Sequence, residues 1–158
     1  MHINVPARGN RKLRTLLERV NRDKQLKAWW HVANVNAVAR MQINDHSWVH
    51  VQIVTNIALK LLRQLTKHGV EPSVVRDYGM TSDDAEVVVT LTAFTHCIGM
   101  AVHRDRHEDW SLFLAEPKLR ELLGAKLRGS GLEPYVDVIA HIEGEAEKLL
   151  LPTYRLET

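Results

Sequence analysis

Residues 81–99 read TSDDAEVVVTLTAFTHCIG, and whether they form a strand or a helix decides the class of fold. Val87, Val88, Val89 and Thr90 are β-branched, and a strand over Val87–Leu91 would suit them. The opening of the stretch points the other way. Thr81 or Ser82, followed by Asp83 and Asp84, is a helix N-cap with acids where the helix dipole favours them. The length of the run, and Gly99 as a stop, also fit a helix. It is apolar almost all round, so it is predicted to be the central buried helix. His96 and Cys97 then fall at its C-terminal end, facing other helices.

The flanking sequence reads as further helices. Asn10 is an N-cap for a first amphipathic helix to about Val20, whose stripe is Leu13, Leu16, Leu17 and Val20. Asp23 caps a second, running through KQLKAWWHVANVNAVARM, with the Trp29–Trp30 pair expected in core packing. In SWVHVQIVTNIALKLLRQLTKHG, Ser47 caps the start and Gly69 ends the helix. Val49, Ile53, Ile57, Leu61 and Leu65 recur every four residues, joined by Val54, Ala58 and Leu62, and predict the buried stripe. His50 lies in the first turn beside it. EPSVVRDYG gives a short turn of helix. HEDWSLFLAE and PKLRELLGAKLRG read as two more helices, the second with Pro117 at its first position. After GSGLEP the period changes, and YVDVIAHIE and KLLLPTYRL, joined across GEAE, predict a β-hairpin. The expected fold is mostly α, with a helical domain over 1–124 and the end of the last helix plus the hairpin over 125–158. The hairpin is expected to cover an exposed face or to mediate dimerisation, since unpaired hairpin edges favour pairing, which makes a homodimer a candidate assembly.

With 158 residues, 45% hydrophobic and 25% charged, the chain can bury one ordinary core. No run reaches the roughly 18 consecutive apolar residues of a membrane span, and no membrane partner is expected. The opening MHINVPARGN has no apolar region of the secretory type, and a lone cysteine fits a reducing cytoplasm. Net charge is +2, which carries no general affinity for polyanions. Between residues 8 and 27, however, eight Lys/Arg face only Glu18 and Asp23, a local +6. Such a cluster can track phosphates and makes nucleic acid a candidate partner, although a solvated helix face is the simpler reading.

Residues 94–109, FTHCIGMAVHRDRHED, concentrate the chemistry. His103 and His107 are four apart, as two ligands of one ion on a helix face would be. Neutral imidazoles suit zinc, iron, nickel or copper, and a thiolate biases the choice toward zinc. Asp105, Glu108 and Asp109 are potential oxygen ligands or partners of the imidazoles. The isolated His2, His31 and His68 read as ordinary surface or core histidines.

NDHSWVHVQIVTNIALKLL followed by FTHCIGMAVHRDRHEDWSLFLA resembles the HD-domain metal-dependent phosphohydrolases over residues 1 to about 123. The likeness rests on a helix-borne histidine, a second helix ending in a His-Asp-hydrophobic-Gly pattern, and a downstream HRxxHE…S segment. It implies a bundle of about five core helices with metal between them, hydrolysing a phosphate ester or nucleotide by metal-activated water. His50 matches the first histidine ligand, His96 the histidine of the doublet, and His107 a histidine that helps bind a second metal. His103 lies close by.

Two departures shape the reading. Cys97 stands where the family has Asp, one soft donor in place of two hard oxygens. Trp48 stands where a smaller residue is usual, and is expected to fill part of the pocket. The family's distal Asp also lies beyond LRELL, where this chain runs directly into a stretch resembling the C-terminus of longer relatives. That implies an internal deletion near Gly124, with Asp137 or His141 as available substitutes. Three functions follow. One is a metal-dependent phosphohydrolase acting on a small phosphorylated substrate, with His50, His96, Cys97 and His107 around one zinc. Another is a degenerate binding module without catalysis. The third is a Cys–His hydrolytic pocket, with Cys97 as nucleophile and His50 or His103 as base.

Overall fold

The structure, a computed structural model, describes residues 1–124. Among them run six α-helices: α1 (Arg11–Arg22), α2 (Lys24–Asn34), α3 (Trp48–Lys67), α4 (Ser73–Tyr78), α5 (Ser82–Thr95) and α6 (His107–Leu123). A π-helical turn, Val35–Arg40, prolongs α2, and a 3-10 turn, Ile98–Ala101, follows α5. The described residues contain no strand and no helix long and apolar enough to cross a membrane. The expected hairpin, with Asp137 and His141, lies outside them.

Residues 82–95 are helical, as their cap predicts. Thr81 Oγ1 accepts from the Asp84 amide at 3.3 Å while Asp84 Oδ2 accepts from the Thr81 amide at 2.8 Å, a reciprocal capping box. Ala85, Val87, Leu91, Ala93 and Phe94 are buried, and α1, α3, α4 and α6 all contact this helix. Packing on all sides outweighs the modest helix penalty of its valines.

Two polar residues tie caps to tertiary contacts. Asn10 caps α1 through the Leu13 amide at 2.9 Å, and its Nδ2 donates to the Asp83 carbonyl and to Glu86 Oε2. Asp23 caps α2 through the Leu26 amide at 2.7 Å, and its second oxygen accepts from Lys118 Nζ at 2.9 Å. Lys118 is only 2% exposed and also pairs with Glu121, with its ammonium over the Trp29 ring. The tryptophans pack as expected. Trp30 is fully buried, meets Phe94 edge-on, and donates its indole N–H to the Phe94 carbonyl at 2.9 Å. Trp48 lies against the same core.

Two expectations need correction. The row Val49, Ile53, Ile57, Leu61, Leu65 is exposed by 41–62%, and α3 turns Val51, Thr55 and Leu59 toward the core instead. Thr55, at the centre of that buried face, donates its hydroxyl to the Val51 carbonyl, so the helix satisfies its buried polar group internally. Residues 107–123 form one helix rather than two, with Pro117 inside it. A proline cannot donate to the carbonyl four residues earlier. Here Pro117 and Phe113 both lie on the exposed side, and buried residues on either side, Ser111 and Lys118, hold the helix together.

Gly99 does more than stop α5. A Cβ there would overlap the His107 carbonyl oxygen and the Ser111 amide nitrogen, and would stand 2.8 Å from Trp110 Cβ. The missing side chain lets the first turn of α6 rest directly on the 3-10 turn. Gly99→Ala should therefore lower stability by about 3 kcal/mol, because backbone rather than a flexible side chain has to move. Urea unfolding measures this, and a variant as stable as the parent would contradict the close approach.

Candidate metal centre

Two helix ends bring the candidate ligands together. Ser47 Oγ accepts from the Val49 amide and starts α3, which places His50 in its first turn. His96 ends α5, and Cys97 follows it with its side chain turned into the core, 1% exposed. His50 is half-buried, and His96 keeps an exposed edge.

His50 Nε2 and His96 Nε2 are 3.3 Å apart. One ligand atom each from His50, His96 and Cys97 all lie within 4.8 Å of one another. The His96 Nδ1–H donates to the Ala93 carbonyl at 2.8 Å, which leaves the lone pair on Nε2, the nitrogen that faces His50. A backbone carbonyl orienting an imidazole in this way is the usual support of a metal-bound histidine. With zinc–nitrogen bonds of about 2.0–2.1 Å, two nitrogens of a tetrahedral site lie about 3.3–3.4 Å apart. The observed His50–His96 separation matches that edge, and an N, N, S donor set suits zinc. The three residues could therefore hold one metal ion.

The electrostatics favour the metal-binding protonation states of the histidines. Burial lowers the His50 pKa, positive charge on His96 or His46 lowers it further, and Asp45 opposes them. Burial of the inner part of the ring also lowers His96, against the Ala93 hydrogen bond, with His46 and His107 adding to the drop. Both rings are thus neutral at pH 7. Burial pushes the Cys97 thiol up to about 12, so without a metal it stays protonated. A coordinated thiol loses its proton to the ion's charge.

The other predicted residues take different places. His107 begins α6, half-buried, with Nδ1 on the Arg104 carbonyl at 3.0 Å and Glu108 at 3.3 Å; it is near enough to act electrostatically on His96 but is not one of the clustered trio. His103 is exposed, and its Nδ1 accepts from the Asp105 amide. No contact joins His103 to the trio among the described residues. Sequence reasoning missed His46, whose ring lies 5.1 Å from that of His50 and whose Nδ1 bonds the Asn44 carbonyl at 2.7 Å. The signal was present, since His46 and His50 repeat the four-residue spacing that singled out His103 and His107.

Because the folded pKa values of His50 and His96 lie below that of an unfolded histidine, the unfolded chain binds protons first as pH falls. Their contribution to stability is complete above about pH 6.5 and declines as pH drops through the lowered values. Urea unfolding of chelator-treated protein should show stability falling from pH 7.5 to 5. His96→Gln should flatten that slope, and an unchanged slope would mean the pair is not the source.

No protein-family model matches the chain, and no solved structure does. An uncharacterized protein of Methanocaldococcus jannaschii is 40% identical over 94 residues, which is 60% of this chain and 36% of that relative. The chain thus spans well under half the length of the curated relative it matches.

Proposed function

We propose that this chain is a metal-dependent phosphohydrolase of the HD type with an altered, mononuclear site, in which His50, His96 and Cys97 hold one zinc ion. The observation that carries the reading is the convergence of three donor atoms within 4.8 Å, two of them 3.3 Å apart. None of the three is a carboxylate, so nothing in the trio bridges a pair of hard cations, and one soft-leaning ion is the better match. Held by His50, His96 and Cys97, a zinc ion would keep a position open for water and would supply the Lewis acidity for hydrolysis of a phosphate ester.

The surrounding residues complete the assignment. The Ala93 carbonyl fixes the His96 tautomer, and Ser111, accepting from the Gly99 amide at 2.8 Å and donating to the His96 carbonyl at 3.2 Å, holds the backbone that carries both His96 and Cys97. His46 has its Nδ1 engaged, so Nε2 is its free ring nitrogen, and we assign it to proton transfer. His107, the first residue of α6, is near enough to act electrostatically on His96. The buried thiol, with its raised pKa, works against the reading in which Cys97 attacks substrate, because a nucleophilic cysteine needs a lowered one.

The reading is tested by elemental analysis and a phosphatase assay with p-nitrophenyl phosphate. The parent should carry about one zinc per chain, lose activity on chelation and regain it with zinc. His96→Ala should lose both metal and activity, while Cys97→Asp should shift the preference toward manganese or magnesium. Activity that survives complete metal removal, or a parent that takes up no metal, would overturn it.

A further inference from the structure

The cations of the +6 stretch do not form one open stripe. Lys12 pairs with Asp84, Arg19 Nη1 donates to the Leu122 carbonyl, and Lys27 Nζ donates to the Asn21 carbonyl. Arg14 Nη2 donates to the Arg8 carbonyl, so four of the eight are engaged in holding helices and their ends together. A different set of cations converges elsewhere. Asn56, Lys60, Arg63, Gln64 and Lys67 occupy one side of α3, at spacings of 4, 7, 8 and 11 residues from Asn56. Together with Arg8 from the N-terminal segment they line a half-open cavity of about 510 Å³, within the range of small-molecule sites.

The cavity is built rather than incidental. Arg63 is fixed from below, with Nε and Nη2 on the two oxygens of Glu86 and Nη2 also on the Pro6 carbonyl. Glu86 is half-buried, bonded to Asn10 as well, and held ionised against its burial by these partners. Its charge therefore offsets Arg63, and no acid lines the cavity. Lys60 and Lys67 make no ion pair among the described residues. Arg8 adopts the left-handed backbone conformation, φ 47°, and its carbonyl accepts from Arg14.

We infer that this cavity binds the phosphate chain of a small polyphosphate anion, a di- or triphosphate either free or carried by a nucleotide. Arg8, Lys60, Arg63 and Lys67 together outweigh the one charge of Glu86, Arg63 forms a fixed floor, and the Gln64 amide and the Asn56 N–H not given to the Gln52 carbonyl add neutral donors. The site goes beyond the proposed metal centre and does not depend on it. Lys60 stands ten residues after His50 on the same helix, about 15 Å along its axis, and Lys67 about 26 Å.

Isothermal titration of the purified chain with sodium tripolyphosphate, in metal-depleted buffer, tests this. Saturable one-to-one binding is expected, weakening as salt rises. Lys60→Ala with Lys67→Ala should weaken it about tenfold or more, as loss of charge-assisted hydrogen bonds does. Arg8→Gly should weaken it as well, and since glycine adopts φ 47° freely, that variant removes the side chain without threatening the fold. Circular dichroism confirms that each variant is folded. His96→Ala should bind as the parent does, so the site stands even if the metal reading fails. ATP binding as tightly as tripolyphosphate would assign the cavity to the phosphate chain alone, and tighter ATP binding would assign it to a nucleotide. The inference is overturned if tripolyphosphate fails to saturate at millimolar concentration. It is also overturned if the Lys60, Lys67 and Arg8 variants bind unchanged, if His96→Ala abolishes binding, or if a single-stranded RNA binds more tightly and indifferently to all three substitutions.

Discussion

The fold of this chain turns on one close approach, that of Gly99 to the first turn of α6. Without a side chain at 99, the Gly99 amide reaches Ser111 Oγ, and the same hydroxyl returns a hydrogen bond to the His96 carbonyl. One buried serine thus joins the end of α5, the 3-10 turn and α6. His96 and Cys97 are the two residues immediately inside that junction. The backbone that carries them is therefore held in place, and the His96 tautomer is set by another backbone group, the Ala93 carbonyl. The placement of these candidate ligands is inherited from packing.

The far end of α6 is held by different means. Lys118 carries an ammonium into the protein interior, where its desolvation is opposed by Asp23 and Glu121 together. A buried ion pair of this kind adds little net stability, yet removing one partner costs about 3–5 kcal/mol because the other is stranded. Asp23 is also the cap of α2, so a single carboxylate fixes where α2 begins and where α6 lies against it. The π-helical turn after α2 then leads to the segment bearing Asp45 and His46. Asn34 Oδ1 accepts the His46 amide at 3.0 Å, which brings that loop back toward the start of α3. The candidate centre is in this sense the meeting point of three chain reversals.

The caps were legible in the sequence because they are local: Asn10, Asp23, Ser47 and Thr81 each act within three residues of themselves. The helical reading of residues 82–95 against its own valines rested on the same kind of signal and stands. His50, His96 and Cys97 were singled out from residue type and from a resemblance, and they do converge. What local pattern could not supply was the role of Gly99, which depends on the His107 and Ser111 backbone, or the cationic cavity, whose members come from residue 8 and from a helix fifty residues later. Pro117 misled for the reverse reason. A local rule ends helices near proline, but tertiary contacts on both sides carried α6 through it.

The reversed face of α3 shows how periodicity itself can mislead. At about 100° per residue, a row that advances by four drifts about 40° per step, so Val49 to Leu65 sweeps about 160° around the helix. No straight neighbour lying along α3 can cover such a row. Val51, Thr55, Leu59 and the partly buried Leu62 mix steps of four with a step of three, and the last step turns back by about 60°. Those four stay within about 80° and meet the core, while the more hydrophobic row winds away from it. A helix with apolar residues on both sides presents its inward face where the steps alternate, and hydrophobicity alone selects the wrong one. On the same step, Asn56, Lys60, Arg63 and Lys67 lie on the side between Leu59 and Ile53, where they run into the start of the aliphatic row. One helix therefore carries a candidate ligand in its first turn, core contacts along one side and a charged wall that merges with the start of its aliphatic row, which leaves the far part of that row, Leu61 and Leu65, free of these tasks.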